Sequence, residues 1–166
     1  GMTRAWKAVR MRTTSAGGTR IDSAVKPRIS SIRIAASRSM ALPASIRTSD
    51  PAIWSVEDGE IVGRSATGLP RNDFARSHLL LADFDLSFEV KLIGDQGNSG
   101  VQFRSEVIAD GDVKGPQADI GPGWWGKLYE EHGRALLEAK GGEEFVKKDD
   151  WNHYEIIAAG SRVRTW

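Results

Sequence analysis

Residues 84–92 read Phe-Asp-Leu-Ser-Phe-Glu-Val-Lys-Leu. Every second side chain is apolar: Phe84, Leu86, Phe88, Val90 and Leu92 alternate with Asp85, Ser87, Glu89 and Lys91. Successive side chains of a strand point to opposite faces, so this period marks a half-buried strand. The pattern continues outward in both directions. A turn cluster, Gly94-Asp95-Gln96-Gly97-Asn98, is followed by Val101 and Phe103 on one side and Gln102, Arg104 and Glu106 on the other. After a second loop at Ala109–Asp112, Gln117 and Asp119 share a face opposite Ala118 and Ile120, and Pro122 and Gly123 end that strand. Upstream, Trp54-Ser55-Val56 and Glu60-Ile61-Val62 flank Glu57-Asp58-Gly59, a strong hairpin signal. Downstream, 151–159 reads as a strand and 162–166 begins another. The one helix-compatible stretch, Glu130 to Ala139, is weakened by Gly133. Many short strands joined by Gly-rich turns predict an all-β antiparallel sandwich or jelly roll, with Phe84, Leu86, Phe88, Val90, Val101, Phe103 and Ile156 in its core.

The charge is divided unevenly. Residues 1–50 hold ten Lys or Arg against Asp22 and Asp50, a net +8; residues 51–166 hold 13 basic and 20 acidic residues, a net −7. The first part has only scattered apolar bulk and no sustained period. It reads as a basic, disordered or appended segment outside a domain spanning 51–166. Its Arg- and Ser-rich composition resembles a transit peptide, without the apolar stretch of a secretory signal. Beyond Trp6 it has no interleaved aromatics, which argues against a nucleic-acid partner. The chain has no cysteine, which excludes disulfides, thiolate metal sites and Cys nucleophiles. The longest obvious apolar run, Leu79-Leu80-Leu81-Ala82, is a strand fragment, and none approaches the length of a membrane span. His78, His132 and His153 show no zinc spacing. The chain stops at Trp166 without a turn or cap, as a domain incomplete at its C-terminus would.

The functional signal lies in 98–134. Gln102, Arg104, Glu106, Gln117, Asp119, Tyr129, Glu130 and Arg134 recur within short apolar segments. Strand parity would gather carboxylates, amides and a guanidinium on one sheet face, a candidate binding or catalytic surface. Trp124 is read as exposed and able to stack on a sugar, and Trp125 as packed. Glu131 is read as part of a solvated charge run. Carboxylates with an amide also suit a hard cation, so a calcium-like ion is a candidate cofactor.

Six ordered pieces carry a family resemblance: Trp54-x-Val56-Glu57-Asp58-Gly59-x-Ile61-Val62-Gly63; Asp83-Phe84-x-Leu86; Asn98-Ser99-Gly100-Val101-x-Phe103-Arg104; Gln117-Ala118-Asp119-Ile120-Gly121; Trp125-Gly126-x-Leu128-Tyr129-x-Glu131-x-Gly133-Arg134; and Trp151-Asn152-x-Tyr154-x-Ile156. Together they resemble the 3-keto-disaccharide hydrolase family. The resemblance implies a concanavalin-like jelly roll and bacterial carbohydrate chemistry, periplasmic or extracellular, on 3-keto glycosides or oligosaccharides. The family usually opens with a Phe/Leu-rich strand and a Gly-Trp pair, where this chain has its basic preface. It also continues with an Asn-Gly hairpin and a late strand carrying Gln and His. On this reading the cleft is incomplete.

A ketone at C3 of a sugar acidifies the hydrogen at C2. Its removal gives an enolate that can expel the C1 substituent. Such chemistry needs a base, a stabiliser for the enolate oxygen and an acid near the leaving group. The expected catalytic set is Arg104, Glu106, Asp119 and Glu130, with Asp119 or Glu106 as base and Arg104 as cation. Gln102, Gln117, Trp124, Tyr129 and Arg134 are the expected substrate contacts. A non-catalytic carbohydrate-binding module on the same fold is the alternative.

Overall fold

The computed structural model describes residues 9–13, 30–31, 46–48, 50–58, 60–65, 68–77 and 81–166. Gly59, His78, Leu79 and Leu80 lie outside the described residues. Among the described residues fourteen strands run in chain order: β1 (Val9–Thr13), β2 (Ser30–Ser31), β3 (Ile46–Thr48), β4 (Trp54–Glu57), β5 (Glu60–Gly63), β6 (Ala75–Ser77), β7 (Phe84–Leu92), β8 (Ser99–Gln102), β9 (Glu106–Val107), β10 (Val113–Ile120), β11 (Leu128–Glu131), β12 (Ala135–Glu138), β13 (Asn152–Ala159) and β14 (Arg162–Thr165). Among the described residues the only helical turns are three short 3₁₀ segments. None is long and apolar enough to cross a membrane.

Two sheets build the fold. One has the order β14-β13-β7-β1-β5-β4, with β2 pairing β7 off the path; the other has the order β12-β11-β10-β8, with β9 pairing β10. β3 and β6 form a separate two-stranded sheet. All these pairings are antiparallel except the short β2–β7 contact. The architecture is the all-β sandwich that period-two patterning predicts. β7 buries alternate residues along its whole length, and its register with β13 places Tyr154 opposite Phe88 and Ile156 opposite Leu86. The Phe88 and Tyr154 rings lie 5.4 Å apart. Across the sandwich, Phe84 meets Phe103 edge-on at 5.8 Å. Phe84, Leu86, Phe88, Val90, Phe103 and Ile156 are buried in one core cluster with Ala118, Ile120 and Trp125, and Val101 packs against it.

The β4–β5 hairpin forms where Asp58 was expected to turn the chain, in register Glu57↔Glu60 and with Asp58 at φ 50°. The helix-compatible stretch from Glu130 folds instead as the β11–β12 hairpin. His132 in its turn, at φ 54°, and Ala135 at the start of β12, at φ 64°, hold left-handed conformations that a helix cannot contain. One strand of the first sheet comes from the basic preface. The backbone of β1 pairs with β7 from Val9↔Leu92 to Thr13↔Phe88, and with β5 on its other edge. The first sheet therefore draws on residues below 50. Unpaired N–H and C=O groups between β5 and β7 are costly, and any strand that reaches them supplies partners whatever its net charge. At the other end, Trp166 exchanges two backbone hydrogen bonds with Glu155, at 2.9 and 3.0 Å.

Candidate active site

β10 sets the site. Ala118 and Ile120 are turned into the core, which sends Gln117 and Asp119 to the outer face of the second sheet. Residues directly opposite in an antiparallel pair share a face. Gln102 of β8 and Tyr129 of β11 both lie opposite Gln117, and Gly100 lies opposite Asp119. Glu131 lies opposite Gly115 and joins the same face. On the far side of Asp119, Lys127 accepts the Asp119 N–H through its carbonyl at 2.9 Å. Gln102, Gln117, Asp119, Tyr129 and Glu131, with Lys127 at the end of the row, thus form one polar surface.

Gln117 and Asp119 are 7% and 2% exposed, so this face is not simply solvated. Gln117 Nε2 donates to Asp119 Oδ1 at 2.5 Å, and Gln102 Nε2 approaches Gln117 Oε1 at 3.3 Å. Asp119 Oδ2 is buried without a hydrogen-bond partner among the described residues. From the core side, Tyr154 donates its hydroxyl to the Asp119 carbonyl at 3.1 Å and ties the strand to β13. Glycine at position 100 is required here: a Cβ would stand 2.6 Å from the Gln117 side chain and 2.9 Å from the Ala118 carbonyl. The Gln117 amide therefore lies directly over Gly100 backbone.

Burial pushes the Asp119 carboxyl up from 3.8 to about 6; the Gln117 amide and Lys127 pull the other way, and the Glu131 charge adds to the rise. Burial also raises Glu131, with His132 opposing and Asp112 reinforcing. Two carboxyl groups with raised affinity for protons thus flank the Gln117–Tyr129 pair. Beside them, the Trp124 and Tyr129 rings meet edge to face at 6.1 Å, and Lys127 Nζ sits 5.4 Å from the Trp124 ring centre. Trp125, as expected, is buried, and Trp124 is half-buried. The Trp124 loop is braced by Glu143, whose Oε2 accepts the Gly123 N–H at 2.9 Å.

Four expected site residues lie elsewhere. β8 ends at Gln102, and Arg104 adopts φ 50°, so the alternation that would place it beside Gln102 is broken. Its guanidinium donates to Ala82 O at 2.6 Å, Gly160 O at 2.5 Å and Asp83 Oδ1 at 2.9 Å. Asp83 Oδ1 also accepts the Gly160 N–H, at 3.0 Å. Arg104 is therefore a clamp between the start of β7 and the β13–β14 turn. Glu106 lies opposite Lys114, out of step with Gln117, and is exposed on the edge strand β9. Glu130 lies opposite Pro116 and faces away from Gln117. Its carboxylate accepts Arg134 N and Nε at 2.8 and 2.7 Å, which closes the β11–β12 turn and holds Glu130 down at about 2. A Cβ at Gly133 would strike that carboxylate at 2.5 Å. Arg134 is committed to the same turn. Glu131 and Lys127 are the residues that sequence reasoning missed. Counting by twos from Tyr129 finds both.

Asp119, Glu131 and the amide oxygens of Gln102 and Gln117 are the oxygen donors a hard cation would find on this face. Among the described residues no three His, Cys, Asp or Glu side chains gather into a metal cluster.

One sheet face of the antiparallel sandwich thus carries a buried carboxyl, amides, a lysine and an aromatic ledge. The chain belongs to the family of the 3-keto-alpha-glucoside-1,2-lyase-like domain, whose profile matches residues 8–166. That match begins one residue before β1, so the strand contributed by the basic preface falls inside it. No curated protein matches the chain.

Proposed function

We propose that the polar face is a catalytic site for 3-keto glycosides in which Asp119 and Glu131 form an acid–base pair. One observation carries the reading: Asp119 is 2% exposed, has one oxygen without a partner, and has its pKa raised to about 6. Keeping a carboxyl in that condition costs stability, and it suits proton transfer near neutral pH. The substrate class follows from the family's lyase-like name. The sugar lies over the Gln117–Tyr129 pair against the Trp124 ledge, with one carboxyl towards each end.

The base removes the C2 proton, and the C–H pair becomes the C2=C3 bond of an enolate. Lys127 stabilises the enolate oxygen in place of the expected Arg104. The enolate then expels the C1 substituent, which leaves with a proton from the acid. The product is the unsaturated 3-keto sugar; water added at C1 gives the hydrolytic outcome. The net change is loss of one alcohol, or its exchange for water, with no redox partner.

A nitrophenyl 3-keto-glucoside tests this. The protein should release nitrophenol, and Asp119→Asn should remain folded and release none. Saturable binding of the keto sugar without release, in a folded protein, would favour the binding-module alternative.

A further inference from the structure

The two glutamines and Ser105 form a hydrogen-bonded chain that ends on Asp119, and this chain can run in either direction. In one direction the Ser105 hydroxyl donates to Gln102 Oε1 at 2.9 Å, Gln102 Nε2 donates to Gln117 Oε1 at 3.3 Å, and Gln117 Nε2 donates to Asp119 Oδ1 at 2.5 Å. That direction terminates on an ionised carboxylate. It also leaves Gln102 Oε1 facing two backbone carbonyls, which can only accept.

Turned over, the Gln102 amide donates instead. Its Nε2 then lies 3.2 Å from Gly115 O, 3.1 Å from Pro116 O and 2.9 Å from Ser105 Oγ. Ser105 keeps a partner, because its hydroxyl reaches Phe103 O at 2.8 Å. Gln102 Oε1 now faces Gln117, which must turn its own Nε2 towards Gln102. Gln117 Oε1 is then left against Asp119 Oδ1. Two oxygens at 2.5 Å need a proton between them. That separation falls below the usual N–H···O range and at the short limit of the O–H···O range.

We infer that Asp119 carries a proton in the resting protein and donates it to Gln117 Oε1, and that Gln102 is the positioning residue that fixes this direction. The carbonyls of Gly115 and Pro116 set Gln102, Gln102 sets Gln117, and Gln117 sets the form of Asp119 that it can bond. The surroundings of the carboxyl agree. Glu131 on β11 and burial both favour the neutral form; Lys127, next to β11, opposes it; Tyr154 on β13 donates its hydroxyl to the Asp119 carbonyl. With the amide reversed, the pull that Gln117 exerts on the charged form becomes support for the neutral one. The catalytic meaning rests on the proposed acid–base reading: Asp119 is then the acid and Glu131 the base. The protonation state itself does not depend on activity.

Carbon-detected NMR of side-chain carboxyls in the full chain provides the test, with Asp119→Asn identifying the Asp119 resonance. In the unmodified protein that resonance should still report a protonated carboxyl at pH 5, where an ordinary aspartate is ionised. Gln102→Leu frees Gln117 to donate, and Gln117→Leu removes the acceptor. Each should lower the midpoint by about one pH unit, tenfold in proton affinity. The opposite direction of the chain predicts the opposite sign, since both changes would then weaken a donor to the carboxylate. An Asp119 ionised at pH 5, or midpoints that stay or rise in variants with intact thermal unfolding, would overturn the inference. Absence of turnover with these shifts present would remove only the catalytic reading.

Discussion

Asp119→Asn should stabilise the protein at neutral pH while abolishing its activity. The folded state raises this carboxyl from 3.8 to about 6. A raised carboxyl pKa means that the native protein binds the proton more tightly than the unfolded chain. The resulting stability is fully present below 3.8 and is lost as pH rises through about 6. For a sealed group, that tighter proton binding is equivalent to about 3 kcal/mol; water entering the cleft reduces it, so about 1–3 kcal/mol is expected. Asparagine is nearly isosteric, cannot ionise, and can donate or accept towards Gln117. Urea unfolding of both proteins at pH 4 and pH 7 gives the comparison. The variant should gain about 1–3 kcal/mol relative to the parent between the two pH values, with unchanged m-value. A variant that loses stability equally at both pH values would refute the reasoning, because Asp119 would then serve the fold.

The site and the fold give further expectations. Glu131→Gln removes a like charge from Asp119, so the midpoint of Asp119, read by carboxyl NMR, should fall. Activity carried by a protonated Asp119 should decline as pH rises through its midpoint, and Glu131→Gln should move that limb of the pH–rate profile to lower pH. Arg104→Ala should lower thermal stability by about 2–4 kcal/mol through loss of charge-assisted bonds to the Ala82–Asp83 segment and the Gly160 turn, and leave the activity of the folded fraction largely intact. Phe88→Ala should cost about 3–5 kcal/mol in chemical unfolding, because its ring is buried against Tyr154.

Where the chain alternates without interruption, the sequence was easy to read. Phe84–Leu92 and Gln117–Ile120 have the faces their parity predicts, and the core follows from them. Parity failed where the backbone leaves the strand. Arg104 follows the end of β8 at a positive φ, so counting on from Gln102 carried it to the wrong face. Glu130 and Glu131 are adjacent acids whose roles depend on register. Only pairing with β10 shows that Glu131 stands with Tyr129 and that Glu130 turns back to Arg134. β1 was illegible for a different reason. Its place in the sheet comes from backbone pairing with β5 and β7, and hydrogen bonding between main chains leaves little trace in composition.

The central claim is that this face removes the C2 proton of a 3-keto glycoside. Exchange at C2 measures that step before the C1 substituent departs. In deuterium oxide, proton NMR of a 3-keto glucoside with a poorly leaving C1 group should show C2 deuteration accelerated by the protein, abolished by Glu131→Gln and retained in Arg104→Ala. No acceleration by the folded protein, or acceleration that persists in Glu131→Gln and disappears in Arg104→Ala, would contradict the account.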